Sequence, residues 1–213
     1  MLDNFPFYTM NLLLFQFTFA MLFFSSCFSG LLFFYRTGKA RIILGIESTI
    51  TGIASCIYHF YIYKMESGDV NFDLFNKIRY LDWVITTPLM LLSISYVFSK
   101  NLNIPLPIPT TLGVIFLDLI MLAFGYAGEV NWLEKEKAQF LGFIPFILMF
   151  SILYKTYRPR NHIGNSYLFL FYFILWTIYG LIYVLPESEK NNAYAIMDCL
   201  SKAIVSLCIS YFL

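Results

Sequence analysis

Long apolar runs alternate with short polar breaks along almost the whole chain. The runs fall at about 9–35, 42–63, 78–99, 108–127, 132–156, 165–186 and 192–213. An α-helix needs about 20 mainly apolar residues to cross the hydrocarbon core of a bilayer, and each run is about that long. The first run is too long for a signal peptide and has no basic residue before it, so we interpret it as a spanning helix. The pattern predicts an all-α membrane protein, with one domain over residues 1–213 that forms a bundle of seven transmembrane helices.

The composition supports a membrane location. The chain is 59% hydrophobic and 13% charged, whereas a soluble domain carries about 25% charged residues. A net charge of +1 argues against a nucleic-acid partner. Four cysteines lie inside apolar runs without a CxxC pair: Cys27, Cys56, Cys199 and Cys208. We expect them to be small core residues that form neither a disulfide framework nor a metal site.

Lysine and arginine are unevenly distributed between the two ends of the predicted bundle. Seven follow the first, third and fifth runs: Arg36, Lys39, Arg41, Lys100, Lys155, Arg158 and Arg160. Five lie at the opposite end: Lys64, Lys77, Lys135, Lys137 and Lys190. Because cytoplasmic loops carry an excess of lysine and arginine, this bias predicts an outside N-terminus and a cytoplasmic C-terminus.

Five ionisable residues lie inside apolar runs: Glu47, Asp82, Asp118, Asp198 and Lys202. A charge at the bilayer centre costs at least ~2.5–3.5 kcal/mol, so these residues require partners or a function. For a single buried acid, a structural hydrogen bond between helices is an equally good explanation. Snorkelling of Lys202 to an interface is a weaker explanation, because ten residues of its run precede it and eleven follow it.

Helical spacing groups these charges. Asp198 and Lys202 are four residues apart and share one helix face. Four polar residues of the third run, spaced by 3, 4 and 7 residues, also share a face: Arg79, Asp82, Thr86 and Ser93. A lysine that faces two acids and an arginine forms a charge-balanced cluster. The same cluster suits a protonated imine on the lysine, since carboxylates stabilise such a cation.

These motifs resemble those of the microbial (type 1) rhodopsins. Residues 79–89 read R-Y-L-D-W-V-I-T-T-P-L, which is similar to the R-Y-x-D-W-x-x-T-T-P-L signature of that family. The seventh run contains Asp198-x-x-x-Lys202, which resembles the family's retinal site. The fourth run has Asp118-x-x-Met121-x-x-x-Gly125, and the sixth has Trp176-x-x-Tyr179, both similar to the family pattern. The resemblance covers essentially the whole chain.

The resemblance implies a role for each matching residue. Lys202 would bind all-trans retinal as a Schiff base, with Asp82 as the primary counterion and proton acceptor and Asp198 as the second counterion. Arg79 would lie on the release side of this group. Residues implied to line the retinal are Trp83, Thr87, Met90, Met121, Gly125, Trp176, Tyr179 and Tyr183. Without the motifs of the third and seventh runs, ordinary helix packing would explain that aromatic and methionine set. Asp118 would pair with Thr87.

One position departs from the pattern of outward proton pumps. Ser93 occupies a place where such pumps usually have a carboxylate, and the set Asp82, Thr86, Ser93 resembles rhodopsins of giant algal viruses and some sensory rhodopsins. Serine is a poor proton donor near neutral pH, which predicts slow reprotonation. Glu47, early in the second run, is expected to approach Ser93 and is our candidate for a cytoplasmic donor or gate. The alternative for Glu47 is an acid that faces lipid or another subunit.

Three functions remain open, and none of them is enzymatic. An outward proton pump is favoured by the complete set of counterion residues. A light-gated cation channel is favoured by the missing donor and by hydroxyls beside Glu47. A slow photosensor that acts through a partner is favoured by Ser93. Membrane lipid, the transported proton and a homo-oligomer (a trimer or a pentamer) are the expected partners, and Glu187 and Glu189 are interpreted as solvated loop residues rather than as release groups.

Overall fold

The structure, a computed structural model, describes residues 10–158 and 161–213. Over these residues it contains seven helices long and apolar enough to span a membrane: α1 (Leu12–Tyr35), α2 (Gly38–Glu66), α3 (Phe72–Asn101), α4 (Ile108–Glu129), α5 (Lys135–Tyr157), α6 (Ile163–Ile182) and α7 (Glu187–Phe212). The prediction of an all-α, seven-helix membrane bundle is confirmed. The predicted start of the first helix at residue 9, and Arg160 of the charge bias, lie outside the described residues.

Several helices extend beyond the apolar runs that predict them. The α3 helix begins at Phe72, where the Asn71 side chain accepts a hydrogen bond from the backbone N–H of Leu74 at 3.0 Å. In the same way, the Asn11 side chain accepts from the N–H of Leu14 at 3.1 Å and caps α1. Asparagine satisfies a backbone donor that the first turn leaves without a partner. Apolar runs therefore indicate the buried length of these helices, while caps fix their ends.

The helices form a closed ring in which sequence neighbours pack together and α1 also packs against α7. The α3 and α7 helices are the most buried of the seven. A narrow stripe of α1 at helical spacing faces this interior: Phe15, Thr18, Leu22, Ser25 and Ser29. The other faces of α1 present large apolar side chains such as Phe17, Phe24 and Phe34 outward. The motifs of the third and seventh runs thus meet in the middle of the bundle.

The cysteine prediction is wrong for three of the four residues. Cys27, Cys56 and Cys208 are exposed on the outside of the bundle, and Cys199 alone is buried. The reason is that lipid tails are as apolar as a protein interior. An apolar run therefore does not say which of its residues face inward.

The α7 helix runs from one end of the bundle to the other. The Lys190 end contains the start of α7, and the Ser210 end contains its last turn. Between them, α7 is interrupted by a π-helical turn over Cys199–Ile204, which contains Lys202. Such turns inside α-helices are frequent at functional sites.

Candidate functional site

The structure brings together the lysine and the two acids that spacing placed on neighbouring faces. Lys202 Nζ lies 2.5 Å from Asp82 Oδ2 and 3.2 Å from Asp198 Oδ1. All three side chains are buried. The α3 helix therefore supplies one carboxylate and α7 supplies the other, with the amine between them. Removal of any member would leave a buried charge without its partner.

The two acids have different surroundings. Asp198 accepts hydrogen bonds from Tyr58 Oη at 2.8 Å and Tyr179 Oη at 2.7 Å, and Arg79 Nη1 lies 3.4 Å from it. Asp82 has Lys202 at Oδ2, whereas its Oδ1 has no hydrogen-bond partner in the part of the chain that the structure describes. Buried polar atoms usually have a partner, so this oxygen distinguishes Asp82 from Asp198. Both carboxylate oxygens of Asp198 therefore have protein partners, whereas only one carboxylate oxygen of Asp82 has a partner among the described residues.

Arg79 connects this centre to the Lys190 end. Its Nη2 donates to Asn191 Oδ1 at 2.8 Å, and Asn191 Nδ2 donates to the backbone oxygen of Glu187 at 2.8 Å. The guanidinium also lies over the rings of Tyr61 and Tyr194, at 5.4 Å and 5.0 Å from their centroids. Aromatic faces stabilise a cation that has little access to water. Arg79 is thus held as a fixed positive charge beneath Asp198.

An apolar pocket opens beside Lys202. All eight residues implied to line a retinal are in its wall: Trp83, Thr87, Met90, Met121, Gly125, Trp176, Tyr179 and Tyr183. Asp118 stands behind the wall, where its Oδ2 lies 2.7 Å from the Thr87 hydroxyl. Thr86 points its hydroxyl at the backbone oxygen of Asp82, at 2.9 Å, instead of at a carboxylate.

Sequence reasoning missed the contribution of α5 to this wall. The helix supplies Ala138, Gln139, Gly142, Phe143 and Phe146, and α7 adds Tyr194 and Ser201. The available signal is the spacing of three or four residues among the α5 members. Because α5 is apolar on its outer faces as well, that spacing does not distinguish the pocket from lipid contacts.

Two glycines let helices approach closely at the pocket. A Cβ atom at Gly125 would lie 2.5 Å from Tyr80 Oη, and one at Gly180 would lie 2.6 Å from the Phe143 ring. Both distances are shorter than non-bonded carbon contacts allow. The wall is therefore tightly packed, and its shape depends on residues without side chains.

Glu47 lies on the other side of Lys202, toward the Ser210 end. It is 1% exposed, and the Ser93 hydroxyl donates a short hydrogen bond to its carboxyl oxygen Oε1. The last part of α7, which contains Ser206, also packs against the helix that carries Glu47. The structure thus joins Glu47 and Ser93 as the sequence predicts. The alternative position of Glu47, facing lipid or another subunit, is wrong because α3 and α7 enclose it.

A second buried charge cluster closes the Lys190 end. Lys190 is 0% exposed, and its Nζ lies 2.8 Å from Glu129 Oε1 and 2.9 Å from Glu187 Oε1. Asn76 Nδ2 and Lys135 Nζ also donate to Glu187, at 2.8 Å and 3.0 Å. The interpretation of Glu187 as a solvated loop residue is wrong, because it begins α7 and is held by three donors. The neighbouring Glu189 is exposed, as expected for a solvated residue.

A signal for this cluster was present in the sequence. Lys190, Tyr194, Asp198 and Lys202 are spaced by four residues and share one face of α7. Lys202 was predicted to face the interior. Continuing its four-residue spacing toward the N-terminus of α7 for about three turns predicts that Lys190 faces the interior as well. The polar letters around it, in PESEKNN, indicated a loop instead.

Known proteins resemble this chain in sequence and in fold. Residues 13–212 match the family model described as bacteriorhodopsin-like protein. The chain is 25% identical over 199 residues to the green-light absorbing proteorhodopsin of Gamma-proteobacterium EBAC31A08, in an alignment that covers 81% of this chain and 74% of that protein. The structure of the viral rhodopsin OLPVRII superposes with a TM-score of 0.87 and 28% identity, over 94% of this chain and 96% of that one. Xanthorhodopsin, a light-driven ion pump with dual chromophore, shares the fold with a TM-score of 0.76 at 24% identity, over 94% and 90% of the two chains.

Proposed function

The chain belongs to the bacteriorhodopsin-like protein family, and from that premise we propose that it is a light-driven proton pump directed out of the cell. Membership makes the protein a retinal-binding photoreceptor and an integral, multi-pass membrane protein. Proteins of this family are mainly pumps, channels or sensors rather than enzymes. The direction of transport, the residues that carry it and the orientation in the membrane belong to our proposal.

The pocket fits retinal attached to Lys202. Its wall is mainly aromatic, methionine and glycine, and Lys202 is the cation among its lining residues. The Asp82 carboxylate, whose Oδ2 lies 2.5 Å from Lys202 Nζ, provides the negative charge that stabilises a cationic Schiff base. When bound, retinal supplies the absorption of visible light and a light-driven change of shape that disturbs the charge balance at Lys202.

Asp82 is the acceptor of the proton that leaves Lys202 Nζ. The two atoms Lys202 Nζ and Asp82 Oδ2 are 2.5 Å apart. Asp198 is close as well, but its oxygens already accept from two tyrosines and face Arg79. Hydrogen bonds and positive charge stabilise an ionised carboxylate, so Asp198 holds its charge while Asp82 takes the proton.

Glu47 returns a proton to Lys202 from the opposite side. Ser93, which binds Glu47, lies eleven residues after Asp82 in α3, and this separation corresponds to about 16 Å along the helix axis. A carboxylic acid at Glu47 supplies the proton that Ser93 cannot supply. With the Ser210 end in the cytoplasm, as the lysine and arginine bias predicts, the proton moves outward.

The observation that carries the proposal is this placement of one buried carboxyl on each side of Lys202. Photocurrent against membrane voltage tests it in cells or in liposomes fused to planar bilayers. A pump gives a current that keeps its sign across zero voltage. A current that reverses at an ion's equilibrium potential would establish a channel, and the absence of current would favour a sensor.

A reconstitution control accompanies the current measurement. The wild-type protein with all-trans retinal is expected to give a visible absorption band, and Lys202→Ala is expected to give none. A band that survives Lys202→Ala would reject the assignment of the retinal lysine.

The hydroxyls beside Glu47 give the channel less support than the sequence suggested. Ser48 accepts from and donates to Ser26 of α1, and Thr49 is exposed on the outside of the bundle and donates to Gly45. The Ser48 bonds hold α1 against α2, and the Thr49 bond lies within α2. Assembly into a trimer or a pentamer stays a prediction of the family resemblance.

A further inference from the structure

Buried serine hydroxyls continue from Glu47 toward the Ser210 end, between α1 and α7. Ser206 is the serine nearest to Glu47 along this row, on the last part of α7, which packs against α2. Ser29 Oγ is 3.0 Å from Ser206 Oγ and 2.8 Å from Ser210 Oγ. All three serines are at most 1% exposed. Hydrogen bonds join the three serines into a row that begins beside Glu47, and we call it the serine row (Ser206, Ser29, Ser210).

We propose that the serine row is a proton relay that recharges Glu47 from the membrane surface at the Ser210 end. This inference rests on the proposed role of Glu47 as donor and assigns the route by which its proton is replaced. The row lies between α1 and α7, whereas Ser93 approaches Glu47 from α3. In the proposal, delivery to Lys202 and recharging of Glu47 therefore involve neighbours of the carboxyl on different helices.

Hydroxyls are suited to this transfer, because each one can donate one hydrogen bond while it accepts another. A proton that enters at Ser210 Oγ displaces the hydrogen of that hydroxyl to Ser29 Oγ. The hydrogen of Ser29 then moves to Ser206 Oγ, and that of Ser206 moves to the Glu47 carboxylate. At each serine one O–H bond forms and one breaks, so no serine keeps a charge. Rotation of the three hydroxyls restores the starting direction.

The row extends from Glu47 toward the Ser210 end of the bundle. Ser210 lies in the last helical turn of α7, next to Tyr211 and Phe212, which are 76% and 80% exposed. Ser29 lies six residues before the end of α1 at Tyr35, a distance of about 9 Å along the axis. Ser29, which bonds to Ser210, is thus within two helical turns of the end of α1.

Other buried hydroxyls in this part of the bundle have a different geometry. Ser25 and Thr18 of α1 donate to the backbone oxygens of Ala203 and Ala195 in α7, at 3.1 Å and 3.2 Å. A backbone oxygen cannot pass on a proton, so these bonds only hold the helices together. Ser25 is therefore a matched control for Ser29: it lies one turn away, on the same helix and at the same interface.

The experiment follows the Glu47 carboxyl by time-resolved infrared spectroscopy of the full retinal-bound protein in lipid nanodiscs. Glu47→Gln identifies the carboxyl band by removing it. In Ser29→Ala the loss of the Glu47 proton after a flash is expected to keep its wild-type rate, while its recovery slows at least about tenfold. In Ser25→Ala both rates are expected to stay within about twofold of wild type, because that hydroxyl bonds only to backbone.

A second pair of variants separates the hydroxyl from packing. Ser29→Thr keeps the hydroxyl and Ser29→Val removes it at similar volume, so recovery is expected to be fast in Ser29→Thr and slow in Ser29→Val. If Ser29 variants fail to fold, Ser210→Ala is expected to give the same slow recovery. Unchanged recovery in Ser29→Ala, or equal recovery in the valine and threonine variants, would overturn the relay while leaving Glu47 as donor. A wild-type protein whose Glu47 band does not respond to light would overturn the donor role itself.

Discussion

The two halves of the bundle on either side of Lys202 differ in how they hold polar groups. Toward the Lys190 end, the interior contains charges in pairs, and the buried Lys190 lies between two glutamates. Toward the Ser210 end, the interior contains the carboxyl of Glu47 and serine hydroxyls. The first half is a network of opposite charges, and the second is a row of neutral groups around one acid.

This difference indicates that the two halves bind and transfer protons in different ways. Carboxylates paired with lysine are stabilised in their ionised form and do not keep a proton to give away. Hydroxyls carry no charge and can both donate and accept, so they conduct a proton without storing one. In our proposal, protons leave through the half at the Lys190 end, where the buried groups are paired charges. Protons enter through the half at the Ser210 end, where the serine row delivers them to Glu47.

Asp82→Asn is expected to have the largest effect, because an amide cannot accept the proton from Lys202. Proton release after a flash should fall by at least about a thousandfold, measured with a pH-sensitive dye. Asp118→Asn is the matched control, since Asp118 is equally buried but contacts Thr87 instead of Lys202. Comparable loss in both variants would show that burial, and not contact with Lys202, decides the effect.

Lys190→Met tests whether the buried ion pairs at the Lys190 end stabilise the fold. Removing one partner of a buried ion pair leaves the other charge uncompensated, and we expect a loss of about 3 kcal/mol in the free energy of unfolding. Unfolding in mixed detergent micelles measures it. Lys137→Met is the control, because the Lys137–Glu134 pair is 67% and 69% exposed and such pairs contribute less than about 1 kcal/mol. Equal losses would contradict a special role for the buried cluster.

Glu47→Gln tests the second half. The glutamine keeps the shape and accepts a hydrogen bond from Ser93 but has no proton to give. The return of the absorption spectrum to its dark state should slow by about tenfold or more, as measured by flash photolysis. Glu66→Gln, at the exposed end of the same helix, should leave the return unchanged. An unchanged return in Glu47→Gln would remove the donor role.

Ser93→Ala is expected to have the smallest effect. It removes one hydrogen bond to Glu47, which contributes about 1 kcal/mol, so the return should change by about threefold to fivefold. Ser95→Ala is the control, because the Ser95 hydroxyl is buried and has no hydrogen-bond partner in the described residues. An effect of Ser93→Ala as large as that of Glu47→Gln would show that Ser93 takes part in the transfer itself.

The sequence was sufficient for the helices and for the central charges. Apolar runs longer than the bilayer core leave few alternatives to spanning helices. A lysine and acids at that depth are too costly to be placed without partners, so helical spacing pairs Lys202 with Asp198 and predicts a facing Asp82. The approach of Glu47 to Ser93 also follows from their depth on adjacent helices.

The tertiary structure decided which apolar and polar residues face inward. The cysteines lie outside although their runs are apolar, Lys190 lies inside although its neighbours are polar, and Gln139 with its helix lines the pocket. In a bilayer both the lipid and the protein interior accept apolar groups, so hydrophobicity fixes depth but not rotation about the helix axis. Depth was determined by the sequence. Packing of the helices around one another determined their rotation. That rotation in turn produced the asymmetry between Asp82 and Asp198 and the serine row that leads from Ser29 toward Glu47.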